Sequence, residues 1–433
     1  MNLTLQDLLD PLIDASAKGF PPNAPALRRS AIGAQGWRVL AGDLPLPLAV
    51  LRRDALAHNL GWMRDYARAQ GVDLAPHGKT TMSPQLFQQQ LAAGAWGLSV
   101  ANVTQARVAL AAGAARCVIA NQVLNAVELD GIAALLGAWP AARLIFLVDS
   151  VAQVERIEAW HAARDGVPRL EVLLEIGVPG ARCGCRTHEQ ALALARRIQA
   201  SPALRLVGVE CYEGLGVSGD TATDAGPADA LMQRVRALAL EADRAGWFDA
   251  DEVIVSAGGS AIFDLVAGQL KPALSRPVRA LLRSGCYVTH DHGFYRRMLA
   301  TVGTRLRCDA TLHAALEVWT TVQSLPEPGL AILSAGKRDL SYDLDLPVPI
   351  AWAGLSERAP RPAPASWRIA GMNDQHAYLR WDGDADPAPD AGLRVGDRVA
   401  LGISHPCTTF DKWRWLPVVD ADYRVVDAVV TCF

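Results

Sequence analysis

From Gly71 to about Arg283 the chain alternates apolar runs of strand length with stretches of helical spacing, and this alternation limits the fold more than any other feature. The apolar runs lie near 72–76, 96–100, 117–120, 144–148, 170–176, 206–211, 252–256 and 280–283. Helical patterns lie between them at 84–93, 104–112, 126–137, 151–163, 188–200 and 229–245, with a short, weak link near 261–270. Eight strands alternating with helices is the count of a (β/α)8 barrel. An open doubly wound sheet competes, but no G-x-G-x-x-G follows a strand to support it. Ahead of the alternation, residues 1–20 read as an amphipathic helix, 21–47 as a Pro- and Gly-punctuated approach, and 47–71 as a short strand followed by a helix. After Tyr295 the texture changes to strand-like stretches at 301–325, 330–335, 376–381, 397–404 and 423–433. Pro-rich connections separate them at 326–328, 345–349, 359–364 and 385–392. The expected organisation is α/β: an approach segment over 1–46, a (β/α)8 barrel over 47–298 and an all-β domain over 299–433.

Composition narrows the class of partner. A net charge of −3 with no basic run argues against a nucleic-acid surface or an anionic membrane. The first twenty residues carry acidic side chains inside their apolar pattern and no basic leader, and no 18-residue apolar run is present. Eight cysteines without a repeated spacing fit a reduced, cytoplasmic setting better than a disulfide framework.

In a barrel, chemistry sits just after the strands. The first run ends in PHGKT (76–80), which carries one lysine, Lys79, to that face; Ser83 and Pro84 then suit the N-cap and first position of a helix. Such a lysine can form a Schiff base with pyridoxal phosphate (PLP) when its amine is partly desolvated; a solvated surface lysine is the competing reading. Arg182 follows the fifth helical link's strand on a Gly- and Pro-built turn, suited to an anionic oxygen or to a rim salt bridge. Tyr212 sits beside small residues at the next strand end. In SAGGS (256–260), Gly258, Gly259 and Ser260 can offer backbone N–H groups and a hydroxyl to a phosphate. Tyr287 is available to close the phosphate end. His290 and His292 flank Asp291, a pattern more often structural than metal-binding. In the β region, His405 and Cys407 stand two apart, on one face of an extended backbone, and imidazole with thiolate suits zinc.

Taken in order over roughly residues 45–425, these segments resemble the fold-type III PLP enzymes of the D-serine dehydratase and D-threonine aldolase family. PHGKT (76–80) resembles the family's Schiff-base lysine motif, GARCG (180–184) its cofactor-binding arginine segment, SAGGS (256–260) its phosphate loop and SGCYV (284–288) its G-T-Y segment. LSAGKRDLSYD (333–343) and GDRVALGISHPC (396–407) resemble parts of its β domain. The resemblance implies an alanine racemase-like barrel with a metal-bearing β domain. Lys79 would be the catalytic residue, with Arg182, Tyr212, Gly258, Gly259, Ser260 and Tyr287 around PLP, and His405 and Cys407 on zinc or another divalent metal. H-x-C at the metal sides with the dehydratases, whereas the aldolases carry H-x-D. The implied activity is dehydration and deamination of a D-3-hydroxy-amino acid, such as D-serine, D-threonine or D-3-phenylserine, to a 2-oxo acid and ammonia, by a homodimer. A metal-assisted aldolase releasing glycine and an aldehyde is the first alternative, and a non-catalytic PLP-binding protein the second. Gly177 and Cys286 depart from the family's usual pattern.

Overall fold

A computed structural model of the chain describes residues 5–214, 216–307, 312–381 and 392–433. Eight parallel strands follow one another round a sheet in chain order: Asp73–Leu74, Leu98–Val100, Arg116–Gln122, Arg143–Val148, Leu170–Ile176, Leu204–Cys211, Val253–Ala257 and Val278–Leu282. The last strand pairs with the first, Leu281 with Asp73 and Leu282 with Leu74. A single parallel bridge between His77 and Ser99 spans the remaining gap, reinforced by the Ser99 hydroxyl donating to the Ala75 carbonyl at 2.7 Å. The ring is therefore closed at the segment that carries Lys79.

Alternation along each strand sorts the apolar side chains into two layers. Ala75, Val118, Ile145, Leu147, Leu173, Val207, Ile254 and Leu281 fill the lumen as a core of their own, apart from the larger core between strands and helices. A register shift at Val207–Gly208 interrupts the alternation: Val172 pairs with Leu206, but Leu173 pairs with Gly208. A bulge of this kind re-aims the residues beyond it. Glu175 and Glu210 thereby become direct neighbours on adjacent strands at the end where the strands open.

The eight strand positions agree with the sequence expectation, and most helices do. Helix Thr221–Arg244 starts well before 229, because Asp220 caps it by accepting the Thr223 N–H at 2.8 Å despite Pro227 inside it. Ser83 stands at the N-cap of helix Pro84–Ala92, but its hydroxyl donates to the Gln85 side chain rather than capping the backbone. The expected helix over 1–20 is corrected: the described part holds only Leu5–Leu9, and Pro11 leads into a two-residue strand, Leu12–Ile13, paired with Leu27–Arg28.

The C-terminal sheet differs from expectation in its membership. Strand Leu48–Arg52 lies in it, between Leu316–Glu327 (antiparallel) and Trp415–Val419 (parallel), and not in the barrel. Residues 301–306, read as strand-like, complete helix Phe294–Leu306, which also runs across the expected boundary at 298. Strands Val348–Ala353 and Arg368–Met372 were not anticipated. Apart from Gly392, the connection expected at 385–392 falls outside the described residues. Among those described, no helix is long and apolar enough to cross a membrane.

Candidate active site

A cavity of about 440 Å³ opens where the barrel's strand ends meet the β domain. Lys79 enters it from a 3-10 turn, Gly78–Thr80, which the His77 ring caps by accepting the Lys79 N–H at 3.4 Å. Burial first, and then the Lys79 charge, hold the His77 imidazole well below its ordinary value, so it is neutral. Gly285 has no room for a side chain, since a Cβ there would lie 2.4 Å from the His77 carbonyl oxygen. The first and last strand ends of the barrel touch at that point.

The floor is built from charges that cancel. Arg283, 3% exposed, pairs with the fully buried Glu210 and donates to the Ser256 hydroxyl at 2.5 Å. Beside this pair, Gln122 donates to the Glu175 carboxyl at 2.5 Å. Burial, and after it the neighbouring Glu210, push Glu175 up to about 8. A neutral Glu175 and a paired Glu210 leave the floor with little net charge at neutral pH.

The raised Glu175 gives a pH test. Folding favours its protonated form, so its contribution to stability is complete below its unfolded value of 4.5 and is lost as pH rises through about 8. Glu175→Gln keeps the shape and removes the titration. Its melting temperature should match wild type near pH 5 and exceed it near pH 9. Parallel melting curves across that range would contradict the assignment.

Other expected residues gather around the same space. The Arg182 guanidinium stacks on the Tyr212 ring at 4.3 Å, and both line the cavity. The Ser260 hydroxyl accepts the N–H of Gly285 at 3.2 Å and of Cys286 at 3.4 Å. Gly258 and Gly259 are where the sequence put them, but their N–H groups donate to the Glu213 carboxyl at 2.9 and 2.7 Å, so these amides are already occupied by a side chain of the chain itself. Tyr287 does not reach the cavity. On the turn Cys286–Val288 the Cys286 side chain lines the cavity, while the Tyr287 hydroxyl accepts from the Gln90 amide at 3.4 Å and its ring lines, with Ser260 and Cys286, a small neighbouring cavity.

His405 and Cys407 arrive from the β domain on the loop after strand Arg398–Gly402, and both line the cavity. His405 adopts φ of 74°, a strained conformation for a side-chain-bearing residue. Two carboxylates hold it there. Asp291 accepts the His405 N–H at 2.9 Å while capping helix Phe294–Leu306, and Asp343 binds the ring Nδ1 at 2.6 Å. A carboxylate on Nδ1 fixes the ring and leaves Nε2 for a ligand. The Cys407 thiol donates to the Thr80 hydroxyl at 3.4 Å and lies 3.6 Å from Cys286 Sγ. His290 and His292 are buried and drawn down to about 4, mainly by burial, and neither lines this cavity.

The alanine racemase N-terminal domain profile matches residues 51–280, more than half of the chain, and the putative serine dehydratase domain profile matches 315–419. The chain belongs to the fold-type III PLP family. It is 27% identical over 376 residues to D-threonine aldolase from Arthrobacter sp, covering 86% of this chain and 88% of that one. It is 28% identical over 398 residues to D-threo-3-hydroxyaspartate dehydratase from Delftia sp. (strain HT23), covering 88% and 96%. In fold it resembles the crystal structure of D-threonine aldolase from Filomicrobium marinum, with a TM-score of 0.75, 24% identity and coverage of 92% and 96%. The fold-type III assignment accounts for the alanine racemase-like barrel. It also explains the second, antiparallel domain that supplies one wall of the cavity.

Reading the sequence strand by strand missed Glu175, Glu210, Arg283 and Cys286 as cavity residues. Arg283 had a signal: a charged residue closing the apolar run ALLR, at the end where barrels place chemistry.

Proposed function

We propose that this chain is a lyase that dehydrates and deaminates a D-3-hydroxy-amino acid of the D-serine, D-threonine or D-3-phenylserine class, with PLP and zinc or another divalent metal as cofactors. The observation that carries this reading is that Lys79, from the barrel, and His405 and Cys407, from the β domain, line one cavity. The residues present fit the cofactor. The Ser260 hydroxyl lines the cavity as a donor for a phosphate, held in place by the Gly285 and Cys286 amides that donate to it, whereas the Gly258 and Gly259 amides are occupied by Glu213. Arg182 above Tyr212 is a donor for a ring oxygen. The donor set of a carboxylate-braced imidazole and a thiol fits a borderline-soft cation.

Bound there, PLP would supply an electron sink for charge at Cα, and the metal would supply Lewis acidity at the departing β-hydroxyl. Lys79 is the group that takes the α-proton. The neutral His77 beside it adds no second positive charge, and the near-neutral floor does not repel a carboxylate substrate. Asp343 keeps the His405 ring in one orientation, and Asp291 keeps its backbone in place. The atoms balance as loss of water across Cα–Cβ, followed by addition of water to the released imine and loss of ammonia. A homodimer acting on a small molecule in the cytoplasm, without nucleic acid or membrane, belongs to the same proposal.

The test is product analysis on D-serine, D-threonine and D-3-phenylserine with PLP, before and after chelation. Ammonia and a 2-oxo acid should appear in equal amounts, and chelation should abolish both. Glycine with an aldehyde would move the assignment to a metal-assisted aldolase, an activity that the relatives' names also include. No turnover of any of the three by the cofactor-loaded protein would overturn the reading.

A further inference from the structure

We propose that Cys286 is a third protein ligand of the metal, so that Cys286, Cys407 and His405 form a two-thiolate, one-imidazole site with one position open to substrate. This rests on the metal reading above. Cys286 and Cys407 are 121 residues apart in the chain and come from different domains, yet their sulfurs lie 3.6 Å apart. That is far beyond the roughly 2.05 Å of a disulfide, so the pair is two thiols in contact. It is also close to the spacing of two sulfurs on one tetrahedral zinc, about 3.8 Å for zinc–sulfur bonds of about 2.3 Å.

Both sulfurs are held from their own sides. Cys286 sits on the turn that follows the last barrel strand, fixed by its N–H on Ser260 and by the His290 N–H on its carbonyl at 2.7 Å. Cys407 opens the short helix Cys407–Phe410, with its thiol on Thr80. His405, Cys407 and Cys286 line the same cavity; the His405 ring, its Nδ1 committed to Asp343, stands more than 4.8 Å from at least one of the two sulfurs, and its Nε2 would close on them when the metal binds. Cys₂His with one open position is an established ligand set for catalytic zinc. Two thiolates and a neutral imidazole balance a divalent charge, whereas one thiolate leaves it half compensated. The arrangement therefore selects zinc over magnesium or manganese, which prefer oxygen ligands.

X-ray absorption of the zinc- and PLP-loaded protein counts the ligands without reference to activity. Wild type should show two sulfurs at about 2.3 Å per zinc, and Cys286→Ser or Cys286→Ala one. In competition with a chelator, both Cys286 variants should release zinc at least about tenfold more readily, the lower end of what loss of even an outer-shell partner causes. One sulfur in wild type, unchanged in Cys286→Ser, would overturn the third-ligand assignment and leave the metal reading standing. A wild-type protein that binds no zinc would overturn both.

Discussion

Lys79→Ala should remove the visible absorption that lysine attachment gives a bound cofactor, and should lower turnover by at least about 10²–10⁴-fold through loss of the proton-transferring amine alone. The change is expected to be local. Lys79 projects into the cavity from a turn whose neighbours Gly78 and Thr80 are buried, so truncating it removes little packing. Stability should stay within about 0.5 kcal/mol of wild type, as for other exposed positions. Retention of the absorption band in Lys79→Ala would show that the cofactor is attached elsewhere, and the reading of PHGKT would fall with it.

Arg283→Met should be the most destabilising single change at the site. Its partner Glu210 is fully buried, and the bulge at Val207–Gly208 sets Glu210 directly beside Glu175. Removing the guanidinium leaves a buried carboxyl without its counter-charge and the Ser256 hydroxyl without a donor. Breaking a buried pair from one side typically costs about 3–5 kcal/mol, whereas replacing both partners by apolar groups is often close to neutral. The double change Glu210→Met with Arg283→Met should therefore recover most of the loss. Denaturant midpoints for the two single variants and the double variant decide the matter. Single variants within about 1 kcal/mol of wild type would show that the pair does not hold the floor of the cavity together.

The barrel was legible because its signal is local: eight apolar runs, each flanked by helical spacing, need no knowledge of distant partners. The cluster around Lys79 was legible for a related reason, since strand ends in a barrel all face one mouth. What escaped depends on long-range pairing. Nothing near Leu48 in the sequence says that its strand pairs with Leu316–Glu327 rather than with the barrel. Gly258 and Gly259 have the composition of an anion-binding turn, and they do bind a carboxyl, but it belongs to Glu213 across the loop. Tyr287 was assigned to the cofactor by its place in a segment. One residue's step round a tight turn brings Cys286 to the cavity that Lys79 enters, while the Tyr287 hydroxyl goes to Gln90 and its ring to a small neighbouring cavity. The two-residue reach of H-x-C was visible, whereas its encounter with Cys286 required both domains to be assembled.

Strand Leu48–Arg52 carries an implication for how the molecule comes into being. It is made before any barrel strand, but its partners at Leu316–Glu327 and Trp415–Val419 are made after all of them. The C-terminal sheet is thus stitched shut by the N-terminal end, with the whole barrel looped out between. Pairings of such long separation form slowly and late. During synthesis the barrel can close while Leu48–Arg52 still waits for its neighbours, and the loop carrying His405 and Cys407, made after every barrel strand, forms the later of the two cavity walls.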